Sequence, residues 1–336
     1  MTLKEFPIML LRNKLLCLLA LIFLVACGKV DQSPPIEKDQ SIEIRLPMGY
    51  IPNIQYAPFY VAVEKGYFSD AGFEIEFDYS FETDGVALVG ANELPFAIVS
   101  GEQVLLAREQ GIPVVYVMAW FQDYPITVIS KADAGIEKIE DLAGKTIGIP
   151  GPFGASYIGL RALLSEAGIL ESDVVLESIG FTQVEAIAGG QSEIVVGYIN
   201  NEPVQLRDQG FDFDLFSISD YVQLPANGII TNEKTISENP DMINKFIEAS
   251  LLGLAYAIDH PEEAYEISLK FVESLAEQDE VVQKEILALS IEYWKTEKLG
   301  FSNIQAWENM QNVLLEIGLI SKSLDLEDVF TNQFVE

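Results

Sequence analysis

The sequence is poor in the residues that carry covalent and metal chemistry. Its 336 residues include two cysteines, Cys17 and Cys27, and one histidine, His260. If Cys17 is lost with a leader and Cys27 is acylated, no free thiol remains. Thiol nucleophiles, thiolate metal sites and a disulfide framework then drop out. One histidine excludes a His cluster. It stands in "DHPEE", an expected loop between two helices with Pro261 opening the second, a poor place for a Ser-His-Asp arrangement. Bases are scarce as well: 20 Lys and Arg against 52 Asp and Glu, a formal charge of −32. That balance disfavours nucleic acid and anionic membrane faces, suits neutral or cationic ligands, and serves solubility equally well. The carboxylates are too many to single out an acid/base pair. There is no EF-hand loop, no P-loop and no dinucleotide fingerprint. No cofactor, metal or catalytic residue is therefore expected, and the chain reads as a non-enzyme.

The longest apolar run, "LLCLLALIFLVA" (15–26), is too short to span a membrane. It comes after a basic stretch with Lys4, Arg12 and Lys14 and ends in "LVAC". Basic flank, apolar run, small residue and cysteine in that order predict a lipoprotein signal over 1–26, with Cys27 as the acylated N-terminus; the alternative is an ordinary secretory signal. Residues 27–40, with Pro34-Pro35 and no periodicity, read as a flexible tether.

The chain beyond residue 40 is long enough for two compact domains. "SIEIRL" and "FEIEFDY" alternate with period two, as half-buried strands do. Strands and Gly-terminated helices then alternate through "ELPFAIVSG", "EQVLLAREQG" and "IPVVYVMAW". The rhythm restarts near residue 130 with "LAGKTIGIPG", "ASYIGLRALLSEAG", "VVLESIGF" and "SEIVVGYINNEP". A lone late strand, "GIITN", precedes a helical tail whose first helix sets Ile243, Phe246, Ile247, Leu251, Leu254 and Ile258 on one face. This order predicts an α/β fold of two lobes: residues 41–128 with 229–336 form one, 129–228 the other, joined by crossover segments at "ITVIS" and "GIITN".

In open α/β sheets ligands sit beyond the carboxyl ends of the strands. Those ends hold residues 50–56, 82–84, 100–103, 120–122, 150–156 and 198–202, which are rich in rings, amides and some acids. The nearest bases, Lys145 and Arg161, are more distant. The "GYIPNIQYAPFYVAVEKGYF" stretch alone holds four tyrosines and two phenylalanines. Each ring taken singly is more often core; their coincidence at six strand ends points to a flat, hydrogen-bonding ligand without negative charge.

"PNIQYAPFYVAVEKGYFSDAGFEIEF", "EQVLLAREQGIPVVYV", "IEDLAGKTIGIPGPFGAS" and "NPDMINKFIEASLLGLAYAIDHPEEA" resemble the solute-binding proteins of ABC importers, in the branch related to thiamine-pyrimidine synthesis proteins. The resemblance covers nearly all of 41–330. It implies a type II-like periplasmic-binding-protein clamshell, held as a monomer on the outer face of the cell membrane by a lipid on Cys27. It also implies delivery of a small molecule to a permease with its ATPase. "MGYIPNIQYAPFYVA", "DYSFETDGVALV" and "VMAWFQDYP" are most similar to members linked to riboflavin, then to binders of a formylated aminopyrimidine, a thiamine precursor. The resemblance implies a cleft lined by Asn53, Gln55, Tyr56, Ser100, Glu102, Trp120, Gly151, Phe153, Gly154, Ser156, Tyr198, Asn200 and Glu202. Tyr56 and Trp120 would be stacking rings, with Phe121 beside them, and Gln122 would be a further hydrogen-bond partner. Glu82 and Asp84 are weaker candidates. One relative in this superfamily is a pyrimidine synthase that consumes an active-site histidine and uses a cysteine-rich motif; His260 and the lack of later cysteines argue against that activity here.

Overall fold

The computed structural model describes residues 41–336; the leader, the tether and Cys27 lie outside the described residues. Ten strands form among the described residues: β1 Ile42–Gly49, β2 Phe73–Phe81, β3 Ala97–Ser100, β4 Val114–Ala119, β5 Ile126–Lys131, β6 Thr146–Ile149, β7 Val175–Ser178, β8 Ile194–Tyr198, β9 Phe213–Ser217 and β10 Asn227–Asn232. The alternation in β1 and β2 does what period two demands. Ile44, Leu46 and Phe73 turn inward, while Arg45 forks onto Asp78 on the outer face at 2.9 and 2.6 Å.

β1 and β2 pair in parallel, β10 lies antiparallel between β3 and β4, and β1 sits beside β3. The second lobe is one sheet in the order β7-β6-β8-β5-β9. The two orders match strand for strand. In each the fourth position is taken by the only antiparallel strand: β10 in the first lobe, β5 in the second. Both of those strands enter directly after the chain has crossed from the other lobe.

The crossings themselves therefore precede these strands. They run through residues 120–125 and 218–226, whereas the expected boundaries at 128/129 and 228/229 fall inside β5 and β10. Ile129 and Ile229 are fully buried ladder residues. The first crossing touches the start of β10: the Trp120 and Phe121 amides each donate to the Asn227 carbonyl at 3.0 Å.

The helix Pro240–Asp259 buries Ile243, Phe246, Ile247 and Leu254 fully, with Leu251 and Ile258 half-buried at the edge of the same face. Phe246 stacks on Phe96 at 3.9 Å and meets Phe68 and Phe73, so this late helix closes the first lobe's core. Among the described residues no helix is long and apolar enough to cross a membrane.

Candidate functional site

The strand ends of both lobes converge on one pocket of about 870 Å³, open solvent at its mouth included. From the first lobe come Gly49, Tyr50, Gln55, Tyr56, Phe81, Glu82, Gln103, Trp120, Phe121 and Asn227. From the second come Pro150, Phe153, Gly154, Ser156, Phe181, Gln183, Tyr198, Asn201 and Glu202. None of the lining residues is Lys, Arg, His or Cys.

The floor is a ring cluster. Tyr56 stacks on Trp120 at 5.3 Å, and Trp120 is edged by Phe59 at 5.2 Å and Phe121 at 4.8 Å. Tyr56 donates its hydroxyl to the Met48 carbonyl at 2.6 Å, which fixes the ring. Tyr56 and Trp120, expected as stacking rings for a ligand, stack on each other. Two buried donors of the lining, Gln55 Nε2 and Trp120 Nε1, have no partner. An unpaired buried donor is costly, and an acceptor atom on a ligand would relieve it.

The mouth is a second set of rings. Tyr50 meets Phe181 edge-on at 4.7 Å, and Phe81 meets Phe153 at 5.8 Å and Phe181 at 6.3 Å. Each contact joins one lobe to the other. Phe81 and Phe153 remain 51% and 44% exposed, far more than core phenylalanines. Gly151, expected to line the cleft, lies off the pocket lining and makes room for a ring: a Cβ there would lie 2.3 Å from the Phe153 ring. Gly154 opens the helix Gly154–Glu166 with a left-handed φ of +70°, and no side chain caps that helix. Its first amides and buried Ser156 border the pocket, where they favour an electronegative atom.

Glu82 enters the wall because Gly49 has no side chain; a Cβ at Gly49, whose φ is +79°, would lie 2.7 Å from Glu82 Cγ. Ser100 Oγ lies 2.6 Å from Glu82 Oε2 and hydrogen-bonds Glu102 Oε1 as well. A hydroxyl carries one proton and ionised carboxylates only accept. The Glu82–Ser100–Glu102 chain therefore needs one carboxyl protonated, donating to Ser100. Burial raises both carboxyls, Glu82 to about 8 with Glu102 adding to the rise, so the pair keeps that proton at neutral pH. Glu202 is pushed up to about 7 by burial, against the Tyr198 amide that donates to it at 2.7 Å. Burial holds the Tyr56, Tyr124 and Tyr198 phenols neutral. Asn227 ties the lobes, accepting from the Tyr198 hydroxyl and donating to Glu82, both at 3.2 Å.

Of the expected site residues, Gln55, Tyr56, Glu82, Trp120, Phe121, Phe153, Gly154, Ser156, Tyr198 and Glu202 meet in this pocket. Ser100 and Glu102 lie fully buried behind Glu82. Asn53 borders a neighbouring cavity and caps the next turn through the Gln55 amide at 2.9 Å. Asp84 is exposed in the first turn of the helix Glu82–Gly90, outside both cavities. Gln122 and Asn200 lie off the pocket; the buried Asn200 turns away and donates its amide to the Ser290 hydroxyl at 2.7 Å. His260 is exposed at a helix–helix junction, packed on Tyr256 at 4.3 Å, and lines neither cavity. Among the described residues no group of acids, His or Cys is arranged to hold a metal.

The comparisons with known proteins agree with this architecture. The riboflavin-binding protein RibY of Chloroflexus aurantiacus is 41% identical over 301 residues, 87% of this chain and 86% of that protein. A formylaminopyrimidine-binding protein of Halalkalibacterium halodurans is 27% identical over 94% of this chain and 96% of its own. A 4-amino-5-hydroxymethyl-2-methylpyrimidine phosphate synthase of Legionella pneumophila is 23% identical over 87% of this chain and 92% of its own. The alkanesulfonate-binding protein SsuA from Xanthomonas axonopodis pv. citri, solved with MOPS, superposes with a TM-score of 0.69 at 11% identity over 86% of this chain and 98% of its own, a likeness of fold alone. The NMT1/THI5 like family matches residues 53–264. With that match, the RibY identity and the two-lobe periplasmic-binding-protein fold, the chain belongs to the NMT1/THI5-like family.

Proposed function

We propose that this protein is the solute-binding component of an ABC importer and captures a flavin, riboflavin before a formylated aminopyrimidine. The observation that carries the reading is the pocket itself: an aromatic floor, two unpaired buried donors and carboxyl groups, with no cation in the lining. Such a wall rejects sulfonate and phosphate, which want cationic partners, and favours a flat uncharged heterocycle. A flavin's three-ring face would make fuller use of Tyr56, Trp120 and Phe121 than a single pyrimidine ring. His260 lines no part of this pocket, which supports binding rather than the synthase reaction named for the more distant relatives. The ligand would be handed to a permease after the lobes close on it. We also propose that Cys27 is acylated and holds a monomer at the outer face of the cell membrane. The support is "LVAC" after a basic, then apolar, leader. Cys27→Ser is expected to abolish labelling by radioactive palmitate; unchanged labelling refutes the anchor.

Titration of the purified, ligand-stripped protein with riboflavin is expected to quench flavin and tryptophan fluorescence and to saturate at one flavin per chain. Trp120→Ala is expected to weaken binding about tenfold, since its ring also holds Tyr56 in place. Tight binding of formylaminopyrimidine with none of riboflavin would transfer the assignment to the pyrimidine. Binding of a sulfonate alone would overturn it.

A further inference from the structure

Beside the aromatic pocket lies a second, more open cavity of about 1030 Å³, surrounding solvent included. The two share a wall: Tyr50, Phe181, Gln183, Asn201 and Glu202 line both. The chemistry changes across that wall. Carboxamides line the second cavity from both lobes: Asn53 and Gln283 on one side, Gln183, Asn201, Gln205 and Gln209 on the other. Asn201, Gln205 and Gln209 recur at every fourth position, so they form one row along the helix Glu202–Asp208 and its ends. Gln205 Nε2 donates to Asn201 Oδ1 at 3.0 Å, and Asn201 Nδ2 to Glu202 Oε1 at 3.2 Å. That chain ends on the carboxyl that also faces the rings. The only ionisable side chains in the second lining besides Tyr50 are acids: Glu185, Glu202, Asp208 and Asp279.

A carboxamide presents a donor and an acceptor side by side, and a hydroxyl can answer either. A row of carboxamides therefore suits a string of hydroxyls. The acids accept from hydroxyls and repel an anion at the end of the string. Resting on the flavin reading, we infer that the second cavity is a polyol subsite: the heterocycle lies on the Tyr56–Trp120 floor, and an uncharged polyhydroxyl side chain crosses at Asn201 and Glu202 to lie along the carboxamide row. The ligand is then a heterocycle bearing a free polyol, neither a bare ring nor a phosphate ester.

The test compares riboflavin with lumiflavin, which has the same three rings and a methyl in place of the ribityl chain, and with riboflavin 5′-phosphate. All three are titrated into the full-length protein, its Gln205→Leu variant and its Gln283→Leu variant. In the parent protein riboflavin is expected to bind at least about tenfold tighter than either of the others, the effect of one or two net hydrogen bonds. Each variant is expected to lose about tenfold for riboflavin and to keep lumiflavin within about twofold, because neither residue lines the aromatic pocket. Lumiflavin binding also reports that each variant is folded. Equal affinity of riboflavin and lumiflavin in the parent protein would overturn the subsite and leave flavin capture standing. Equal weakening of both by the variants would do the same. Tighter binding of the phosphate ester would overturn the uncharged-chain assignment. Binding of no flavin at all would overturn both readings.

Discussion

At the scale of single residues, the most consequential arrangement is the proton held by Glu82, Ser100 and Glu102. Together with Glu202, these carboxyls hold protons more tightly in the folded chain than in the unfolded one, whose carboxyls titrate at the ordinary 4.5. A group with a raised folded pKa stabilises the fold fully below its unfolded value. That contribution fades as pH rises towards the folded one. Stability is therefore expected to fall from about pH 4.5 to about pH 8. Denaturant midpoints measured across that range check it, and a midpoint that rises with pH would refute the assignment. Glu102→Gln is expected to flatten the slope, since its amide can donate to Ser100 with no titrating proton. The glutamates were visible in the sequence as strand-end acids. Their shared proton was not, because it depends on a hydroxyl that reaches both, and that is a matter of packing.

At the scale of elements, the rule that ligands lie beyond carboxyl ends of strands found much of the pocket and missed a definite part of it. Asn227 was missed because β10 runs antiparallel: its amino end, paired with Ser100 at the end of β3, faces the site. Strand direction cannot be read from apolar alternation, which is the same both ways. Phe81 was missed because β2 runs two residues past the "FEIEFDY" pattern, and Phe181 and Gln183 because the end of "VVLESIGF" was not counted among the site-bearing ends. The four-residue spacing of Asn201, Gln205 and Gln209 was legible in the sequence; its meaning appears only once a helix is seen to turn that face to the cleft.

At the scale of the molecule, the lobes are held together around the pocket by contacts that opening must break: the Tyr50–Phe181 and Phe81–Phe153 ring pairs, Tyr198 with Asn227, and Arg207 with Glu285 at 2.8 Å. Ring pairs are worth about 0.5–1.5 kcal/mol each beyond area burial, and an exposed ion pair such as Arg207–Glu285 (side chains 58% and 45% exposed) at most about 1 kcal/mol. Each of these contacts is weak by itself, and a ligand that touches both lobes would add to them in the closed form alone. We place the hinge at the crossings 120–125 and 218–226. X-ray scattering is expected to give a larger radius of gyration for Phe81→Ala/Phe153→Ala than for the parent, and saturating riboflavin is expected to shrink it. Identical radii in all states would count against a closing clamshell built on these rings.

The sequence by itself determined the α/β alternation, the restart of the rhythm that makes two lobes, the strand ends that carry rings and amides, and the shortage of bases that sets the sign of the cleft. These arise from period, turn chemistry and composition, all of which are local. Only the tertiary structure decided where the chain crosses between lobes, which strands run antiparallel, that Tyr56 and Trp120 stack on each other, and that Asn200 faces Ser290 in the core. Each of these depends on residues far apart in the chain, whose contact is chosen by the packing of the whole and leaves no mark on the pattern of either segment alone.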